Sequence, residues 1–183
     1  MTKPGARALG VAASGDGPRV ALAGAVVRAD GVVDGVALGD CERGGTDATD
    51  AVCTLAGDLD REDVRYVLVA GLALAWYNIV DLRAVHDAVD RPVLSVTFED
   101  SPGLEPALRD AFDGTALEER LATYRAQPTR RPLEVNGETV FVRAVGCDDG
   151  TARDVVRAFT PAGGRPEPVR VARLVARAAD RWT

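Results

Sequence analysis

Residues Val64–Asp81 read V-R-Y-V-L-V-A-G-L-A-L-A-W-Y-N-I-V-D, and no other stretch limits the fold as strongly. The first half, Val64–Ala70, is a short apolar run rich in β-branched residues. Such a run fits a strand buried on both faces in the middle of an α/β sheet. Gly71 ends the strand, and Leu72–Tyr77 form an apolar connection tipped by two aromatic rings. Asn78 is suited to cap a helix over Ile79–Val89. In open α/β sheets, ligands and metals gather at the carboxyl ends of the central strands. A site is therefore expected beside Ala70, Gly71 and Asn78. The strand ends in an alanine, where a metal-using enzyme would place a carboxylate.

The flanking segments extend the same sheet. Ala8–Ala13, Val20–Val27 and Val32–Leu38 are three apolar runs with tight links, the second an Asp30-Gly31 hairpin signal, so an antiparallel meander is predicted. Gly39–Thr46 reads as a loop. Asp47 then caps a helix through about Leu59, with Asp50 in its first turn. Pro92–Phe98 is another strand, separated from Val64–Ala70 by a helix and hence parallel to it through a right-handed crossover. Leu104, Ala107, Leu108, Ala111 and Phe112 have amphipathic helical spacing, and Leu117, Leu121 and Tyr124 mark another helix. Leu133–Val142 holds an Asn136-Gly137 hairpin, read as an edge extension. Thr151–Phe159 and Pro168–Trp182 close the chain as helices.

Composition narrows the setting. The length suits one domain over residues 1–183. No apolar run approaches the ~20 residues that span a bilayer, and Met1–Gly10 lacks the apolar core of a secretory signal. Cys41, Cys53 and Cys147 match neither a disulfide framework nor a zinc knuckle, which fits idle thiols in a reducing cytoplasm. There are 28 acids against 22 bases, and Lys3 is the only lysine. Acidic, lysine-poor, Ala/Val/Asp-rich chains resemble those of haloarchaea, which keep molar salt inside the cell. At that ionic strength the Debye length is only ~3 Å, so net charge does not decide for or against a nucleic-acid partner. Nothing in the sequence sets the oligomeric state.

Meander, helix, strand, helix, strand and further helices is the element order of ribonuclease H-like folds. Four motifs sharpen this: L-G-V-A-A at Leu9–Ala13, G-T-D-A-T-D at Gly45–Asp50, V-A-G-L-A-L-A-W-Y-N-I-V-D at Val69–Asp81, and P-E-P-V-R-V-A-R-L-V-A at Pro166–Ala176. In this order they resemble an archaeal family known as domain of unknown function 99. That family is similar to endonuclease V, a ribonuclease H-like nuclease acting beside deaminated bases, and the resemblance covers nearly the whole chain. It implies a mixed five-stranded sheet, an antiparallel meander plus two parallel strands, flanked by helices and extended by the hairpin. The family pattern has L-G-I-D-D, L-D-G and A-H-L-I-A where this chain has L-G-V-A-A, V-A-G and A-R-L-V-A. Ala12, Ala13, Ala70 and Arg173 thus stand where the resemblance implies three acids and a histidine.

Two-metal hydrolysis needs convergent carboxylates, and a methyl group offers a hard cation no ligand. The expectation is a catalytically degenerate protein, without metal or cofactor, that holds single-stranded or damaged nucleic acid or another phosphate ligand. The expected pocket is lined by Ala12, Ala13, Ala70, Gly71, Trp76, Tyr77, Asn78 and Arg173. Trp76 and Tyr77 either stack a base or cap the core. Arg170, Arg173, Arg177 and Arg181 line one face of the last helix, opposite an expected buried stripe of Val171, Leu174, Val175, Ala178 and Trp182. That arginine face either tracks phosphates or is solvated and paired with acids. The rival is a Mg²⁺- or Mn²⁺-dependent nuclease using displaced acids such as Asp16, Asp40 and Asp81. Each has a plainer role: Asp16 in a Gly-flanked turn, Asp40 at a strand end, Asp81 in a first helical turn. His86, the sole histidine, shares a face with Ile79, Leu82 and Val89, which suits a packed core residue. A third option is a protein-interaction module whose cleft is filled by side chains.

Overall fold

The three opening strands, β1 (Arg7–Ser14), β2 (Arg19–Arg28) and β3 (Val33–Glu42), form the predicted antiparallel meander. A computed structural model describes residues 1–183. After α1 (Ala48–Leu59), β4 (Val64–Val69) inserts parallel to β1. β5 (Val93–Thr97) follows α2 (Leu82–Val89) and is parallel to β4. Helices α3 (Glu105–Ala111) and α4 (Gly114–Arg125) lead to the hairpin β6 (Arg131–Val135) and β7 (Glu138–Val145). Two helices, α5 (Asp149–Ala158) and α6 (Glu167–Trp182), complete the chain.

The result is a seven-stranded mixed sheet in the order β3-β2-β1-β4-β5-β7-β6. It is the expected five strands plus the hairpin, with Pro132 confined to edge strand β6, where its missing N–H breaks no interior ladder. Alternation along the strands sends Leu9, Val11, Val67, Val69 and Val93 to one face, against Val52 and Leu55 of α1 and Leu82 and Val85 of α2. The opposite face sends Ala8, Leu68, Leu94 and Val96 against Val155 and Val156 of α5, with Phe159 just beyond it. Helix α6 covers β1 and β2 through Ala12, Ala25, Val27 and Ala172.

The structure corrects several expectations. Helix α2 starts at Leu82, not Ile79, and its N-cap is Asp81, whose carboxylate accepts from the N–H groups of Arg83 and Ala84. Residues Leu72–Val80 instead form a closed arm, in which Val80 N–H donates to the Leu72 carbonyl and Ala73 bridges Ile79. Strand β3 runs on to Glu42 because its last residues pair with the start of β2, so the loop expected from Gly39 begins later. The expected apolar stripe of α6 is not buried: Leu174 is 50% exposed and Trp182 91%. The helix buries Pro168, Val169, Ala172 and Ala176 instead. Gly10 explains this choice, because a methyl added there would fall on the Pro168 carbonyl. The helix lies so close to the sheet that only small side chains fit between them.

Candidate anion-binding cleft

Strands β1, β3, β4 and β5 share one direction, so their carboxyl ends lie on one edge of the sheet. At the β4 and β5 ends of that edge lies a cavity of about 570 Å³. Its floor is Ala70 and Gly71 beyond β4, and Ser95, Val96 and Thr97 of β5. Gly71 has φ +85°, a left-handed turn that bends the chain away from the strand end without a side chain over the cavity. Around this floor stand four arginines, Arg130, Arg143, Arg165 and Arg173, with Glu99 as the one carboxylate in the wall.

Each arginine arrives from a different element. Arg143 sits opposite Ser95 through the β5–β7 pairing, and it bonds the Pro128 carbonyl at 2.6 Å and the Tyr124 hydroxyl at 3.3 Å. Arg130 donates to the carbonyls of Glu99 and Ser101 and stacks over Phe141, 4.5 Å from the ring centroid. Arg165, just ahead of α6, lies 4.7 Å from the ring centroid of Phe98. Arg173 projects from α6. Burial, then repulsion from Arg165 and Arg177, pulls its guanidinium below the usual arginine range.

None of the four makes an ion pair, although this acidic chain pairs many of its other arginines. Arg130 and Arg143 are anchored by carbonyls and the Tyr124 hydroxyl, whereas Arg165 and Arg173 make no side-chain hydrogen bond within the protein and keep their N–H edges for an oxyanion. The cleft is a cluster of cations, three of them oriented by carbonyls or aromatic rings, that no carboxylate pairs.

The residues singled out from sequence are dispersed by the fold. Ala70, Gly71 and Arg173 meet in the cleft. Ala12 faces the same side of the sheet as Ala70 but is sealed beneath Ala172, and Ala13 points to the opposite side, against the cluster of Val20, Cys41 and Ala75. Trp76, Tyr77 and Asn78 are outside the cleft wall. Asn78 is fully buried and works as a strut: its amide donates to the Glu42 carbonyl and Asp47, and its oxygen accepts from Ala48 N–H at 2.9 Å. Arg170 is tied to Glu167 and stays outside the cleft. Asp40 pairs with Arg19, Asp81 is used as the α2 cap, and Asp16 lies exposed in the β1–β2 turn. No three side chains of metal-ligating type converge at any point. Methyl groups and guanidinium groups are the wrong donor set for a hard divalent ion. His86 is half-buried, with Nδ1 2.7 Å from the Arg91 carbonyl and its ring against Gly146, as a packed residue. Burial pushes the Cys41 thiol up to about 11, which leaves it inert.

Sequence reasoning missed Arg130, Arg143 and Arg165. They come from a loop, a strand and a turn, so no periodicity links them, and only the β5–β7 register together with the turn before α6 brings them together.

The sequence pattern of the Endonuclease dU family matches residues 4–180. The chain belongs to that family. A UPF0215 protein of Pyrobaculum calidifontis is 34% identical over 156 residues, covering 85% of each chain. The crystal structure of a protein of unknown function from Archaeoglobus fulgidus superposes with a TM-score of 0.84 at 25% identity, covering 94% of this chain and 97% of that one. Endonuclease V of Ciona intestinalis, solved in complex with a 24mer DNA containing an inosine followed by a ribo-adenosine, superposes with a TM-score of 0.64 at 11% identity. That match covers 96% of this chain and 86% of that one. This member of the Endonuclease dU family therefore has an endonuclease V-like fold, and no helix is long and apolar enough to cross a membrane.

Proposed function

We propose that this Endonuclease dU family member binds a phosphate-bearing ligand, nucleic acid by preference, in the arginine cleft, and that it has lost metal-dependent strand cleavage. The observation that carries the reading is a cleft whose floor is Ala70 and Gly71 and whose walls supply four unpaired arginines. Methyl groups there leave a divalent ion without ligands, while guanidinium forks suit phosphate oxygens. The DNA bound by the Ciona intestinalis endonuclease V, which has the same fold, favours nucleic acid over a smaller phosphate ligand. Displaced acids offer no replacement centre: Asp40 and Asp81 are engaged and Asp16 stands apart.

Fluorescence anisotropy with labelled single-stranded DNA or RNA carrying inosine or uracil, in molar KCl, tests the reading. The unmodified protein binds, and Arg173→Ala and Arg165→Ala each weaken binding about tenfold, as expected for loss of a charge-assisted contact. Equal affinity for all three proteins would remove the cleft from the account.

A further inference from the structure

On the arm after β4, three residues beyond Ala73 of the cleft wall and so no more than ~11 Å of backbone from it, stands Trp76. We infer that Trp76, with Arg43 beside it, is a stacking platform for one unpaired base of a strand whose phosphates lie in the arginine cleft. The inference rests on the nucleic-acid reading proposed above and names its form, an unstacked single strand.

The arm is built to hold this ring outward. Trp76 and Tyr77 both adopt left-handed backbone, with φ of 46° and 64°, which is unfavourable for two consecutive bulky residues. Burying the indole would have been the simple use of such a residue, yet it remains 45% exposed. Strain of this kind persists only where the surroundings impose it, and it collects at ligand-binding positions. The bracing here is extensive. Tyr77 and Phe112 pack on the indole with ring centroids 5.5 Å away in each case. Gly44 presses so closely that a methyl there would lie 2.7 Å from the ring. Arg120, itself 8% exposed, stacks on Phe112 and donates to the carbonyls of Gly44 and Gly45.

The chemistry around the ring selects the occupant. The Arg43 guanidinium lies 5.0 Å from the indole centroid and has no ion pair or hydrogen bond. Of the nearby carboxylates, Asp40 and Asp47 are both within reach of Arg19, and Glu42 packs against Gly45 without pairing to Arg43. An unpaired cation lying over an exposed ring can swing to a phosphate as a base takes its place on the indole, and such stacking is tolerant of sequence. The distance to the cleft is what a short extended strand covers.

The test uses the full chain with Trp182→Phe, which leaves Trp76 as the sole tryptophan. A single-stranded DNA oligonucleotide quenches its fluorescence on binding, while an abasic strand of equal length and phosphate count binds without quenching, about tenfold more weakly. Trp76→Ala removes that difference and leaves abasic-strand affinity unchanged, whereas Trp76→Phe keeps most of it. Equal affinity for both strands without quenching overturns the platform while leaving the arginine cleft standing. If neither strand binds by anisotropy, the platform and the nucleic-acid reading fall together.

Discussion

Asn78 shows how much a single buried polar residue can organise. The sequence around it suggested a helix cap, but its side chain joins the end of β3 to the start of α1 and supports the arm that carries Trp76. Asn78→Ala leaves the Ala48 N–H without its partner, so a loss of about 3 kcal/mol is expected in denaturant unfolding. A linked effect concerns Asp47. Burial pushes its carboxyl up, but the bonds from Asn78 and the Glu42 N–H, with Arg19, outweigh this and hold it below its ordinary value of 3.8. A carboxyl depressed in the folded state adds stability that is complete above its unfolded value and fades as pH falls through its folded one. Unfolding measured from pH 6 to pH 2 should therefore show a shallower acid loss in Asn78→Ala than in the unmodified protein.

At the scale of elements, strands were legible where they alternate or run continuously apolar, and the hairpin was legible through Asn136-Gly137. Helix α6 was misread because size was taken as the sign of burial. Its Leu174 and Trp182 stay out, since the sheet beneath is built from Gly10, Ala12 and Ala25 and takes Ala172 and Ala176 beyond the buried first turn of Pro168 and Val169. This close approach makes Gly10→Ala costly: overpacking against the Pro168 backbone should lower stability by about 1–3 kcal/mol. Gly57, on the exposed side of α1, is the control, because a methyl there meets nothing. Gly57→Ala should raise stability by roughly 0.5–1 kcal/mol through helix propensity alone. If both substitutions have the same sign in thermal and denaturant melts, the packing account of α6 is wrong.

Over the whole molecule, the family's fold was readable from the order of elements and from motifs, and the same motifs imply acids where Ala12 and Ala70 stand. The cleft was readable only in part. Arg173 stood out because it replaces an expected histidine, whereas Arg130, Arg143 and Arg165 are assembled by β5–β7 pairing and by the turn before α6. Net charge was a poor guide, since a chain of net −6 still concentrates four cations at one point. If those four contact phosphates, affinity for a single strand should fall with a log–log salt slope of roughly −3, and Arg173→Ala should make it shallower by about 0.7. The central claim is a phosphate grip that does not depend on a metal. The most direct measurement incubates inosine- and uracil-containing single strands with the protein in molar KCl, with Mg²⁺, with Mn²⁺ or with EDTA, and follows binding and products together. The account predicts equal binding under all three conditions and no cleavage. Products that require the metal and disappear in Asp40→Asn or Asp81→Asn would contradict it.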